Sequence, residues 1–234
     1  MIKDNIKGFV ASSLVDWDGK VVSVIFLAGC NFRCGYCSNK DIVLEPDKIK
    51  TISWKEIKNY LENNKDFVDG VVITGGEPTL YDDLPELINE IKNLGFLIKI
   101  DTNGSNPEML QELLDRKLLD SIAMDIKAGF QKYKDIVNVD LNLEKIKKSI
   151  LIVKKFPDYE FRITLFPGIN KEDLIEIASF LKENNANKAF FIQQFRNDEC
   201  LDSAFEDIKP YKKTELESFI EIFNEFGKFG VRNI

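Results

Sequence analysis

Six short runs rich in Val, Ile and Phe alternate with amphipathic stretches, and no other feature of the chain narrows its fold as much. Candidate strands are Val21 to Leu27, Gly70 to Thr74, Phe96 to Asp101, Ser121 to Asp125, Glu160 to Phe166 and Lys188 to Phe195. The stretches between them carry helix signals. Ser53 and Glu56 have capping-box spacing and open a helix that ends near Asn64. From Tyr81 to Leu94, the apolar residues Leu84, Leu87, Ile88, Ile91 and Leu94 share one helical face, and Gly95 marks the stop. Pro107 suits a first turn, and further helices are predicted over Leu143 to Lys155, Glu172 to Glu183 and Lys213 to Phe226. Strands that each lead into a helix are parallel, because parallel neighbours need a crossover. The class is therefore α/β, as an open doubly wound sheet or a closed or partial β/α barrel. Both put an active site at the carboxyl ends of the strands, so unusual residues there carry the functional reading.

No repeat, low-complexity tract or Gly/Ser linker interrupts the 234 residues. That predicts one domain over 1–234, with an N-terminal segment 1–20, a β/α core 21–195 and a C-terminal extension with a helix over 196–234. The chain has no histidine, which excludes Ser-His-Asp and Cys-His hydrolases and any metal site built on its own imidazole. A net charge of −7 argues against a nucleic-acid partner, since phosphate binding needs clustered Lys and Arg. The first residues lack a signal peptide's apolar core, and the longest apolar run, Val21 to Cys30, is far short of a membrane span. The expectation is a cytoplasmic protein with no membrane partner.

The first strand runs into Ala28-Gly29-Cys30-Asn31-Phe32-Arg33-Cys34-Gly35-Tyr36-Cys37-Ser38-Asn39, which holds three cysteines at C-x3-C-x2-C spacing. A loop rich in Gly and Asn does not read as buried core, so three small fillers is the weaker interpretation. An odd number of thiols in a reducing compartment argues against a disulfide. Zinc would need a fourth ligand, and Cys200 is remote in sequence and otherwise reads as filler. An iron–sulfur cube on Cys30, Cys34 and Cys37 would keep one iron free of protein sulfur, open to a substrate.

With aromatic Tyr36 just before its last cysteine, this loop resembles the signature of the radical S-adenosylmethionine (SAM) enzymes. The resemblance implies a partial (β/α)6 barrel of parallel strands. It also implies a 4Fe-4S cluster whose open iron is chelated by the amino and carboxylate groups of SAM. Thr74-Gly75-Gly76-Glu77-Pro78 is similar to the family's GGEP-type motif beside the methionyl amine. There glycines admit close approach, and carbonyls and Glu77 accept from an ammonium. Read alone, it is an ordinary turn. Asp101-Thr102-Asn103-Gly104 and Asp125-Ile126-Lys127 end the third and fourth strands, and each alone reads as a strand-to-turn junction. Together they resemble the D-T-N-G and D-x-K elements of the glycyl-radical-enzyme activases. In those proteins the matching acidic residues also hold a monovalent cation, a role that falls here on Asp101, Thr102 and Asp125. Arg162 and Gln194 are long polar groups in apolar strands, costly unless they face a polar cavity or the surface. The resemblance puts such an arginine beside the carboxylate or ribose of SAM. The cofactor set is thus Tyr36, Gly75, Gly76, Glu77, Thr102, Asn103, Asp125, Lys127, Arg162 and Gln194.

Ile6-Lys7-Gly8-Phe9 and Ser13-Leu14-Val15-Asp16-Trp17-Asp18-Gly19 look like the opening of the activating proteins of anaerobic ribonucleoside-triphosphate reductase. The implied activity is that of a radical SAM oxidoreductase. A reduced cluster cleaves SAM, and the resulting 5′-deoxyadenosyl radical takes a hydrogen from a glycine Cα of the reductase. No acid or base residue is needed, which suits a chain without histidine. The implied partners are that reductase and a flavodoxin or ferredoxin-type electron donor. Lys145, Lys147, Lys148, Lys154 and Lys155 form a candidate basic face for an acidic donor. Two other readings stay open: a small-molecule radical enzyme such as a carboxy-deazaguanine synthase, and a metal-binding or redox protein that makes no radical.

Overall fold

All six predicted strands form, and two more flank them. A computed structural model describes residues 1–232; Asn233 and Ile234, the end of the predicted extension, lie outside the described residues. The strands are β1 (Ile6–Ser13), β2 (Val22–Leu27), β3 (Gly70–Gly75), β4 (Leu97–Thr102), β5 (Ser121–Asp125), β6 (Tyr159–Leu165), β7 (Ala189–Gln194) and β8 (Lys228–Arg232). They form one sheet in chain order. β1 is antiparallel to β2, and every later pair is parallel. β1 and β8 are its two ends and do not pair among the described residues, so the sheet is an unclosed partial barrel.

The helices are α1 (Lys40–Leu44), α2 (Trp54–Asn63), α3 (Leu84–Asn93), α4 (Pro107–Asp115), α5 (Tyr133–Val137), α6 (Leu143–Val153), α7 (Lys171–Glu183) and α8 (Lys213–Ile220). Side-chain alternation along the strands builds two apolar layers. Ile25 and Leu27 of β2, with Ile98 and Ile100 of β4, join the large core that includes the helices. Val22, Val24 and Val72 point the other way and pack with Trp17 from the β1–β2 turn. That turn stoppers the amino-terminal end of the barrel, where Lys99 Nζ donates to the Asp16 carbonyl at 2.8 Å.

Several local expectations change. Ser53 is the N-cap of α2, but its side chain makes no capping bond. The reciprocal capping box belongs to α7 instead, between Asn170 and Asp173. Before α3 the chain makes a 3-10 turn at Pro78–Leu80, which moves the helix start from Tyr81 to Leu84. α8 stops at Ile220 and continues as a 3-10 turn, Glu221–Phe223. Among the described residues, no helix is long and apolar enough to cross a membrane.

Candidate cofactor site at the carboxyl ends of the strands

The carboxyl ends of β2 to β7 open onto a cavity of about 690 Å³. Its wall includes Cys30, Cys34, Cys37, Tyr36, Gly75, Gly76, Thr102, Asn103, Asp125, Lys127, Arg162 and Gln194. Every residue predicted for the site is therefore on the cavity wall except Glu77. Asp101 lines the cavity too.

The cysteine loop is held by its own backbone, by the end of α5 and by the loop after β4. The Cys37 amide donates to the Cys34 carbonyl at 3.0 Å, and the Arg33 amide to the Val137 carbonyl at 2.8 Å. Arg33 Nη1 folds back onto the carbonyls of Cys30 (2.6 Å) and Phe32 (2.8 Å). The Cys30 sulfur accepts from the Phe32 amide at 3.4 Å and from Asn103 Nδ2 at 3.7 Å. Burial pushes the Cys34 thiol up to about 11, and the nearby Cys37 and Cys30 add to the rise. Burial likewise raises Cys30, with a smaller push from Cys37. No group of three or more Cys, Asp or Glu side chains among the described residues is arranged to hold a metal ion. Three sulfurs at zinc-bond length around one ion would sit about 3.8 Å apart. A cube with one iron per thiolate spreads its ligands more widely.

The loop after β3 continues the pairing with β2 past the end of the strand. Gly76 donates to the Leu27 carbonyl and Glu77 to the Gly29 carbonyl, each at 2.8 Å. Gly75 has φ +111°, and a Cβ on Gly76 would lie 1.7 Å from the Gly29 oxygen. Both positions therefore need glycine, and the close approach they permit is to the cysteine loop's own backbone. Asn39 Nδ2 adds a bond to the Gly75 carbonyl at 2.9 Å.

Glu77 departs from its predicted role. It was expected to accept from a ligand ammonium, but its side chain is fully buried and turned away from the cavity. One oxygen accepts from the Thr79 amide (3.1 Å), the Thr79 hydroxyl and the Thr102 hydroxyl (2.7 Å). The other accepts from the Asn103 amide at 2.6 Å. Burial pushes its carboxyl above the usual range against the pull of those four donors. Glu77 thereby ties the β3 loop to the β4 loop and sets where Thr102 and Asn103 meet the cavity.

Charged residues line the concave face in a continuous ladder. Lys127 Nζ pairs with Asp125 (3.1 Å), and Arg162 pairs with Asp125 (2.9 Å), Asp101 (3.2 Å) and Glu160 (3.8 Å). Glu160 also holds Lys99 (3.3 Å) and Arg232 (2.9 Å), and Arg232 reaches Asp18 of the β1–β2 turn at 2.8 Å. Burial alone would raise the Asp125 carboxyl, but Arg162 and Lys127 hold it down to about 2. Burial opposes the charge on Lys127, and Asp125 more than offsets that, so its pKa stands well above the usual lysine value. Two buried polar atoms have no partner among the described residues: the Tyr36 hydroxyl and Asp101 Oδ1, both on cavity-lining residues. Gln194 donates to the Phe195 (3.2 Å) and Tyr211 (3.3 Å) carbonyls.

The sequence reading passed over Lys99, Glu160 and Arg232. A signal existed for two of them. Lys99 and Asp101, like Glu160 and Arg162, stand two apart on one strand and so share a face of the sheet. Four of the five lysines of the predicted basic face on and just after α6 have partners. Lys145 and Lys148 pair with Glu108 of α4, Lys147 pairs with Glu144, and Lys154 bonds the Asn184 carbonyl.

Comparison with known families matches residues 24–181 to the radical SAM superfamily. The chain belongs to that superfamily. It is a radical SAM enzyme, and membership implies a 4Fe-4S cluster and SAM as its cofactors. The donor set fits them: three thiols of one short loop line one cavity, and the two orphaned polar atoms belong to residues of the same wall. A Methanocaldococcus jannaschii protein, by its name alone a glycyl-radical enzyme activating enzyme, is 36% identical over 96% of this chain and 94% of its own length. A 7-carboxy-7-deazaguanine synthase of Clostridium acetobutylicum is 30% identical over 72% of this chain and 82% of its length. Streptococcus suis SuiB, solved with its precursor peptide SuiA, superposes with a TM-score of 0.68 at 18% identity. That alignment covers 91% of this chain and 48% of SuiB, and it speaks for the fold alone.

Proposed function

We propose that this radical SAM enzyme activates a glycyl-radical protein, with anaerobic ribonucleoside-triphosphate reductase as the target. The match to the M. jannaschii protein, along almost the full length of both chains, supports activation of a glycyl-radical protein, and the likeness of Ile6 to Gly19 to the reductase activases supports the choice of target. The unclosed side of the barrel also suits a target that is a polypeptide segment. When bound, the cluster and SAM supply one-electron cleavage of a sulfonium and abstraction of a hydrogen atom.

The chain's part is to bind and orient. Cys30, Cys34 and Cys37 hold the cluster, with Tyr36 beside them. Gly75 and Gly76 offer backbone at the methionyl amine, and Thr102, Asn103, Asp125, Lys127, Arg162 and Gln194 shape the rest of the SAM site. Glu77 acts one step back, by fixing Thr102 and Asn103. Asp101, whose Oδ1 is unpartnered, joins Thr102 and Asp125 as the site for a monovalent cation beside the SAM carboxylate. The reading takes residues 1–234 as one cytoplasmic domain, reduced by a flavodoxin or ferredoxin-type donor.

The test is anaerobic. The protein is reconstituted with iron and sulfide, reduced with dithionite, and given SAM with and without the reductase. The proposal expects 5′-deoxyadenosine and a glycyl-radical signal on the reductase, both lost in Cys34→Ala. Turnover of SAM without any signal on the reductase would overturn the target. The deazaguanine-synthase likeness supplies the second reading, in which a small polar molecule takes the radical in the charged barrel interior.

A further inference from the structure

The cysteine loop is gripped from outside by a segment the sequence reading treated as mere extension. After β7 the chain passes over the loop before it enters α8. The Leu201 amide donates to the Cys37 carbonyl at 2.9 Å, and the Asp202 amide donates to the Gly35 carbonyl at 3.0 Å. Two consecutive donors thus satisfy two carbonyls that flank Tyr36, groups that a free loop would leave to water. Asp202 also caps the short 3-10 turn Ser203–Phe205 through the Ala204 amide at 2.9 Å, which stiffens the gripping segment itself.

The turn delivers Phe205 onto Gly35. A Cβ at position 35 would lie 2.3 Å from Phe205 Cε2 and 2.7 Å from Cδ2. Gly35 does not have a positive φ, so a larger residue there is opposed by the Phe205 ring and not by backbone conformation. The Phe205 ring also meets Phe166 edge-on at 5.3 Å and lies 6.3 Å from Tyr36, which links the cysteine loop to the end of β6. Cys200 is buried next to this contact and bonds the Arg196 carbonyl.

We infer that residues 197–206 form a strap whose contact between Phe205 and Gly35 positions the cysteine loop, and so governs how tightly the loop keeps its cluster and how far water reaches it. The inference rests on Cys30, Cys34 and Cys37 being the cluster ligands. Partners just outside a metal site hold its ligands in register, and their loss costs about 10- to 100-fold in affinity. Exposure to solvent is one of the terms that set a cluster's potential. Phe205 touches no reacting atom; it is a positioning residue.

The experiment follows iron release to a chelator and the cluster's midpoint potential, on anaerobically reconstituted protein. Phe205→Ala should release iron about tenfold faster and shift the potential. Phe226→Ala, which cuts an equivalent ring from the Phe190–Phe223–Phe226 stack away from the loop, should lower thermal stability and leave both readouts alone. Gly35→Ala should load iron poorly, and the double variant Gly35→Ala/Phe205→Ala should recover loading to the level of Phe205→Ala. Iron release in Phe205→Ala no faster than in Phe226→Ala, or no recovery in the double variant, overturns the strap. Full cluster loading in Cys34→Ala would instead overturn the ligand assignment beneath it.

Discussion

Replacing Glu77 by alanine removes the one acceptor that four donors share, two of them backbone amides, at a fully buried position. The hydroxyls of Thr79 and Thr102 can rotate to other acceptors, whereas the amides of Thr79 and Asn103 cannot. A buried donor left unpaired costs about 1–3 kcal/mol, so the two amides together cost about 4. Burial already pushes the Glu77 carboxyl upward, so removing its charge returns part of that, and the net loss is about 3 kcal/mol. In a chain of this length that corresponds to a melting point lower by roughly 9 °C. Glu77→Gln keeps one acceptor oxygen but aims an NH2 at the remaining donors, for a loss of about 2 kcal/mol, or roughly 6 °C. Thermal unfolding followed by circular dichroism reads both, paired with SAM binding to the reconstituted protein. If both variants melt with the parent while SAM binding collapses, Glu77 faces the ligand and its inward placement is refuted.

Asp125 predicts an acid-limb effect. Its folded value of about 2 lies below that of an unfolded aspartate, so its contribution is whole above about pH 5 and fades as pH falls through 2, about 2–3 kcal/mol in all. Urea midpoints against pH should show a shallower acid limb in Asp125→Asn, and an identical limb would show that the carboxylate is not held down. Gly76→Ala drives a Cβ into the Gly29 carbonyl, which is backbone and cannot swing aside. It should lower both the melting point and iron loading, and parent-like loading would mean that the two loops are not coupled there.

What could be read from the sequence follows the range of the interactions. Strand runs such as Ser121–Asp125 are buried on both faces and announce themselves by composition. β1 escaped notice because most of its residues are part-exposed and Gly8 and Ala11 break its pattern, and β8 because it is five residues long with a central glycine. The three cysteines share one short loop, so their spacing carried the site. The inward turn of Glu77 depends on donors from the next strand unit, 25 and 26 residues away. The grip on Gly35 comes from more than 160 residues away, and no local pattern marks it. The pairing of Lys145 and Lys148 has the same origin, since Glu108 arrives from α4.

The ladder of charges inside the barrel has a consequence for how such a chain can change. Its rungs are four cations, Lys127, Arg162, Lys99 and Arg232, and four anions, Asp125, Asp101, Glu160 and Asp18. The sum is zero, and a neutral substitution at Glu160 removes the carboxylate that Lys99 meets and leaves that cation uncompensated away from water, at a cost of about 3–5 kcal/mol. A change at Glu160 therefore costs least when Lys99 changes with it, whereas Arg162, with three carboxylates around it, can lose one of them and still be paired.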